Sequence, residues 1–396
     1  MSEILLNRNA TVAGTQVIDS LLTAAVRQEG AVAFWHAPQG NKIHVIYASR
    51  GRLKKPIVLE ETRTGFVLHP FREIGDSPSW FIPGELTFSW SAGDDEIQWS
   101  ESITALQEDH KGEAVWHSAP EIPENPSGQK AEFLRLVNQG LSAIAADRFA
   151  KVIVARTKQR HLGPQFSPGQ LFHRLIRKYP GAYVSCVSHP ELGTWLGASP
   201  ELLLEIDDNH MFYTMALAGT QPANISRDPS QASWTQKEIE EQAMVSRFII
   251  NQFKKIRVRE FEETGPQTVL AGNVMHLCTD YTVNMKEVRF PQLGTVMMRL
   301  LHPTSAVCGM PKLPAREFIL THESFDRGLY SGFSGPVNYK GKSRLYVNLR
   351  TMSLTNHTAT IFAGNGITHD SIPEQEWQET ELKCDTILQV LEPDAI

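Results

Sequence analysis

The chain has 396 residues, of which 41% are hydrophobic and 21% charged, with a formal net charge of −6 and a sequence pI near 6.2. That length can bury one large core or two, and a mildly acidic balance gives no long-range attraction for nucleic acid or anionic lipid, so neither is expected as a partner. No run approaches a membrane span, and no basic segment precedes an apolar one in Met1 to Ala10, so a soluble, cytoplasmic protein is expected. Cys186, Cys278, Cys308 and Cys384 stand far apart with no CxxC pair and read as reduced core thiols.

Up to about residue 118 the chain reads as short strands and turns. Lys42 to Ala48, Ile57 to Glu60 and Gly65 to Phe71 are β-rich runs between basic or glycine turns, and Trp80, Phe81, Trp90 and Trp99 supply aromatic core. The three prolines of Ala119 to Gly128 mark a linker. The expected organisation is a β-rich part over 1–118, the linker over 119–128 and a main core over 129–396.

An amphipathic helix is predicted over Gln129 to Arg148, with Phe133, Leu134, Val137, Leu141 and Ile144 on one side. It leads into a strand over Lys151 to Arg160. Alternation there places Lys151 on one face with Ile153 and Ala155. Two readings stand: a strand-edge lysine that snorkels, or a desolvated lysine with a lowered pKa, suited to proton abstraction. A helix over Pro168 to Lys178 and two strands then lead to SPELLLEI, in which Glu201 follows a Ser-Pro turn. This glutamate is either a plain charge at a strand start or a carboxyl kept protonated by apolar surroundings and able to act as an acid. Gly219-Thr220 forms a small-residue turn that lets backbone approach a ligand.

A second long helix begins near Thr235, with Thr235 and Glu238 in capping-box spacing. Glu238 and Glu241 lie three residues apart on one side, and acids in a first turn also answer the helix dipole. His276 sits in a strand-like run and on its own reads as a satisfied core histidine. Pro291 to Leu301 is predicted helical, Leu301 to Lys312 is a loop of small residues, and ESFDRG to TMSL reads as a hairpin whose second strand carries Arg350. Its turn, YKGKS, only superficially looks like a phosphate loop, because a strand follows where a helix N-terminus is needed. The strand ATIFAGNGIT brings Gly364 and Gly366 to the last helix, Glu374 to Leu391, where Glu376, Glu379 and Lys383 project within roughly 60° beside an apolar stripe. Alone, these charges read as a salt-bridged surface. Together with Glu238 and Glu241 they make four carboxylates, which fit a hard divalent ion that binds through few protein oxygens, namely Mg²⁺.

The motifs LHPTSAVCGMP, FDRGLYSG, the Arg350 strand, FAGNGIT and ExEWQETELK, preceded by KVIVAR and GASPELL, occur in the order found in a known family. Over about residues 130 to 391 the chain resembles the chorismate-binding core shared by isochorismate, salicylate, anthranilate and aminodeoxychorismate synthases. The resemblance implies an α+β fold, two β-sheets packed face to face with helices outside, forming one intertwined core. It makes Glu241 and Glu379 direct Mg²⁺ ligands, with Glu238 and Glu376 holding the ion's waters against the ring carboxylate of chorismate. Arg350 and Tyr330 would grip the enolpyruvyl carboxylate, with the Gly364 backbone and Lys383 nearby. Thr220 and His276 would line the ring pocket.

Lys151 occupies the position at which water-using members carry a lysine, and Glu201 resembles the acid that protonates the departing C4 hydroxyl. Ala306 stands where salicylate and anthranilate synthases typically place threonine, which favours stopping at isochorismate. The resemblance thus implies a Mg²⁺-dependent isochorismate synthase feeding menaquinone or siderophore synthesis, monomeric and without a glutamine amidotransferase subunit. The alternatives are a salicylate synthase or a catalytically silent chorismate-binding relative. Departures are Ala at the start of ALAGT, Asn365 in GNGI where a small residue is commoner, and EEQ in place of a Glu-His-Glu run.

Overall fold

In a computed structural model of the chain, the β-rich runs assemble into two nine-stranded sheets, antiparallel at each described pairing. The structure describes residues 11–391 except 52, 95, 99–113, 124–127, 223–227 and 272–273. Trp99, part of the proline-rich linker and Met1 to Ala10 therefore lie outside the described residues.

Edge to edge, the first sheet contains Gly309–Met310, Lys151–His161, Thr358–Ile367, Thr351–Leu354, Gly193–Ser199, Tyr183–His189, Ala31–His36, Lys42–Ala48 and Leu86–Ser91. The second contains Glu262–Ala271, Val274–Asn284, Met211–Pro222, Leu202–Ile206, Ser343–Val347, Phe333–Val337, Gly65–His69, Ser79–Pro83 and Lys54–Lys55. Residues before 118 thus supply strands to both sheets. A separate short pair, Thr11–Ala13 with Glu96–Gln98, completes the described β-structure.

Seven helices are described: α1 (Gly14–Arg27), α2 (Gln129–Ala145), α3 (Pro168–Lys178), α4 (Gln236–Lys255), α5 (Leu293–Leu301), α6 (Lys312–His322) and α7 (Pro373–Leu391). The first of these corrects the reading of the amino-terminal part as strands and turns. Val17, Ile18, Leu21, Leu22 and Ala25 recur with helical period, and that stripe is buried against the first sheet with α3 and α7. Ser167 caps α3, its Oγ accepting the Gln170 N–H at 3.0 Å, and Pro168 fills the first turn, where a missing N–H costs nothing.

The inner faces of the sheets meet in a core that includes Ala33, Trp35, Phe66, Leu68, Ala155, Tyr330 and Phe362. Tyr183 and Tyr346 stack across it with ring centroids 3.9 Å apart. Helices α4 and α5 cover the outer face of the second sheet, and α2 and α6 pack at the edge of the first, near Val152 and Val154. Among the described residues no helix is long and apolar enough to cross a membrane.

Two of the places where the chain crosses between the sheets lie next to each other. After Ser199 it leaves the first sheet, passes Pro200 and Glu201, and enters the second at Leu202. After Val347 it returns, entering the first at Thr351. Backbone bonds tie the crossings: Val347 N–H to Glu201 O at 3.0 Å and Ala198 N–H to Arg350 O at 3.0 Å. Arg350 therefore lies outside the hairpin's second strand, correcting the sequence reading, and has a left-handed φ of 46°. A continuous run of β-favouring residues hides the crossing, because strand pattern alone cannot say which sheet a strand joins. The YKGKS segment is a tight hairpin turn, with Lys340 and Gly341 at φ 52° and 80°.

The Tyr183 hydroxyl is buried without a hydrogen-bond partner among the described residues. Tyr183→Phe removes only that group and is expected to raise unfolding free energy by about 1 kcal/mol in chemical denaturation; a loss of stability would mean the hydroxyl has a partner.

Candidate active site

The buried charge at the start of the Lys151–His161 strand organises the site. Lys151 is 2% exposed, and its Nζ donates to Glu241 Oε1 of α4 at 2.6 Å. The apolar company expected from strand alternation is present in Ile153 and Ala155, but a carboxylate faces the amine itself. Burial alone would push the Glu241 carboxyl up. The Lys151 ammonium, helped by Lys383 and the Gly219 backbone, overrides burial and holds it at about 2.

Gly366 explains how the lysine reaches this position. A Cβ at Gly366 would lie 2.8 Å from Lys151 Cε, and one at Gly364 would lie 2.8 Å from the Tyr330 hydroxyl. The glycines of GNGI are required by close approach of two site residues.

Across α7, Lys383 Nζ donates to Gly364 O at 2.9 Å and Asn365 Oδ1 at 3.1 Å, and pairs with Glu379 at 3.0 Å. Burial raises the Glu379 carboxyl, but Lys383 overcomes it and leaves it lowered. Glu376 is buried, receives the Asn365 amide and lies 3.7 Å from Lys237 of α4; burial raises its pKa. Asn365, noted in the sequence only as a departure, thus spans Glu376 and Lys383.

On the second sheet, His276 Nδ1 donates to Gly219 O at 2.9 Å and its Nε2 accepts from Arg350 at 3.0 Å. That pair of bonds assigns the neutral Nδ1–H tautomer. Burial, then the Arg350 charge, lowers its pKa to about 3. Thr220 follows Gly219 at a register shift of the Met211–Pro222 strand. Tyr330 is buried, stacked on Phe362 at 5.3 Å, and pushed up to about 12 by burial.

Glu201 sits at the sheet crossing after Ser199, 4% exposed. Burial raises it to about 7 against the opposing pull of Thr304, whose Oγ1 donates to it at 3.2 Å, and of the Lys151 charge. Thr304 is a site residue the sequence reading did not single out, although it lies in the quoted HPTSAVCG loop. Ala306 lies two residues on, half-buried against the second sheet's outer core.

The Glu241 charge raises the proton affinity of Glu379, so the two carboxylates lie within electrostatic reach, and lysines balance them. Hard oxygen donors that repel each other fit a divalent cation through Glu241 and Glu379, with Glu376 beside them. Glu238 is spent on its own helix, accepting the Thr235 N–H at 2.7 Å. Among the described residues no three acidic, histidine or cysteine side chains are gathered around one point.

The two buried acids act oppositely on stability. Glu201 holds its proton above the ordinary 4.5, so its contribution is full below that value and is lost as pH rises through about 7. Glu241 contributes above 4.5 and loses its contribution as pH falls through about 2. Thr304→Val, which removes the hydrogen bond opposing protonation, is expected to move the Glu201 midpoint further up in a carboxyl ¹³C NMR titration; an unmoved midpoint would remove Thr304 from the account.

The chain aligns at 28% identity over 267 residues with isochorismate synthase EntC of Escherichia coli strain K12, covering 66% of this chain and 67% of that protein. It aligns at 28% over 319 residues with isochorismate synthase DhbC of Bacillus subtilis strain 168, covering 76% and 77%. The structure of MenF, the menaquinone-specific isochorismate synthase from Escherichia coli, superimposes with a TM-score of 0.73 over 98% of this chain and 96% of that one; at 21% identity this likeness shows the fold. The model of the family described as "Chorismate binding enzyme" matches residues 89–392, most of the chain, and the protein belongs to that family.

Proposed function

We propose that this protein is an enzyme that isomerises chorismate to isochorismate by adding water at C2 as the C4 hydroxyl departs. The observation that carries the reading is the pairing of a buried amine with a buried carboxyl held near neutrality: Lys151 and Glu201 interact electrostatically, and each is almost wholly enclosed. The curated relatives bear the name isochorismate synthase.

In this mechanism Lys151, once released from Glu241 and with its ammonium proton given up to solvent, is a neutral amine that takes a proton from water as the water oxygen bonds to C2. The two ring double bonds shift, the C4–O bond breaks, and Glu201 gives its proton to the leaving hydroxyl, which departs as water. One water enters and one leaves, so substrate and product are isomers. Arg350 and Tyr330, with Lys383 and the Gly364 backbone, orient the enolpyruvyl carboxylate. His276, kept neutral, and Thr220 line the ring. Glu241 and Glu379 would hold Mg²⁺, with Glu376 beside it; when bound, the ion neutralises the ring carboxylate. Glu238 joins only if its capping bond opens.

The small side chain at Ala306 favours release before pyruvate is lost. The product would feed menaquinone or catechol-siderophore synthesis. The enzyme would act as a monomer, and, using water, it needs no ammonia-delivering subunit.

Chorismate incubated with the protein and Mg²⁺ is expected to give an equilibrium mixture with isochorismate, resolved chromatographically. Lys151→Met and Glu201→Gln should each lower turnover by about 10²-fold or more while leaving the fold intact by circular dichroism. Full activity of either variant would sink its assigned role. Activity should also decline above pH about 7 as Glu201 loses its proton. Ala306→Thr is expected to raise pyruvate release, measured by a coupled assay; salicylate and pyruvate from the unaltered protein would instead favour the salicylate synthase reading.

A further inference from the structure

The FDRG segment holds a buried ion pair that takes no part in the chemistry above. Glu323 and Arg327 are each 2% exposed and meet through a two-point contact, Arg327 Nε to Glu323 Oε2 at 2.8 Å and Nη2 to Oε1 at 2.5 Å. The guanidinium also lies 4.4 Å over the Phe71 ring. Its other bonds go to backbone: Nη2 to Ile153 O at 2.8 Å and Nη1 to Val307 O at 2.9 Å. Glu323 Oε1 in turn accepts the Ala155 N–H at 2.9 Å.

These contacts lie where the first sheet runs out of strand. Its edge strand, Gly309–Met310, pairs only with Val152 and Lys151. Beyond it, Ile153 N–H reaches Cys308 O at 2.9 Å, and the next two ladder groups, Ile153 O and Ala155 N–H, are met by the ion pair. The pair therefore stands in for a missing strand, satisfying backbone groups that a buried edge would leave orphaned.

What it joins matters more. Ile153 and Ala155 share a strand with Lys151, and Val307 follows the loop in which Thr304 donates to Glu201 and Ala306 sits. One planar fork thus spans the segment carrying the base and the segment holding the acid. A buried ion pair is no reliable source of stability, since well-packed apolar residues often serve as well.

We propose that Arg327, backed by Glu323, is a positioning residue: it sets the spacing between the Lys151 strand and the Thr304–Val307 loop, and so between base and acid. This rests on the isomerase reading. Arg327 touches neither reacting atom, and its effect passes through the two carbonyls it holds.

The test uses the full chain in two forms. Glu323→Gln with Arg327→Met removes the charges together, keeps the Ala155 bond available to the amide and fills the volume, while Ile153 O and Val307 O lose their donor. Arg327→Lys keeps a cation for Glu323 but cannot reproduce the fork. Both are expected to unfold within a few degrees of the parent, to keep KM for chorismate within about threefold, and to lose kcat by about 10²-fold, the cost of misplacing reacting groups by an ångström. Amide exchange should quicken over residues 304–308. A folded variant with kcat within threefold of the parent and an unchanged loop would overturn the proposal. If the parent itself does not convert chorismate, the functional reading fails on that measurement alone. Exchange in the loop then decides the clamp, quickening supporting it and an unchanged rate refuting it.

Discussion

The site depends on the cost of burying the Lys151 ammonium. Taking such a charge out of water costs several kcal/mol unless a partner meets it, and the partner is Glu241, brought from the helix that covers the opposite sheet. Strand and helix must therefore arrive together, so the pair ties the first sheet to the layer outside the second. The same contact leaves a carboxylate ionised in a low-dielectric place and in view of Glu379, giving the site its appetite for positive charge.

Two glutamates that both feel the Lys151 charge end in opposite states for reasons visible in their neighbours. Glu241 faces ammonium groups and is held at about 2; Glu201 has one hydroxyl donor and a more distant charge, and burial carries it to about 7. Environments that push two carboxyls apart allow one to remain an anion while the other keeps a proton to give. His276 completes the division: pinned between Gly219 and Arg350, it stays neutral and leaves the guanidinium charge undiluted.

Architecture supplies the convergence. Two of the places where the chain changes sheets lie side by side, and each carries a site residue, Glu201 in one and Arg350 in the other. A crossing breaks the ladder, so its side chains are free of strand alternation and can turn into the seam. Three strands away the first sheet ends at a strand of two residues, and side chains take over the bonding of its edge.

Much of this was legible in the chain. The motif order marked the family and the α+β fold, helical spacing grouped Glu376, Glu379 and Lys383, and the Thr235–Glu238 spacing announced a cap that does form. These are local properties, determined by periodicity and by the reach of neighbouring residues along one element. The tertiary structure decided the rest. Whether Lys151 faced apolar side chains or a carboxylate, whether Glu238 turned to a site or to its own helix, and which sheet received the chain on either side of Arg350 depend on partners tens to hundreds of residues away. Alternation assigns a face but not a neighbour, so the Glu241 ion pair, the Thr304 hydrogen bond and the Arg327 clamp appear only once the sheets are closed on each other.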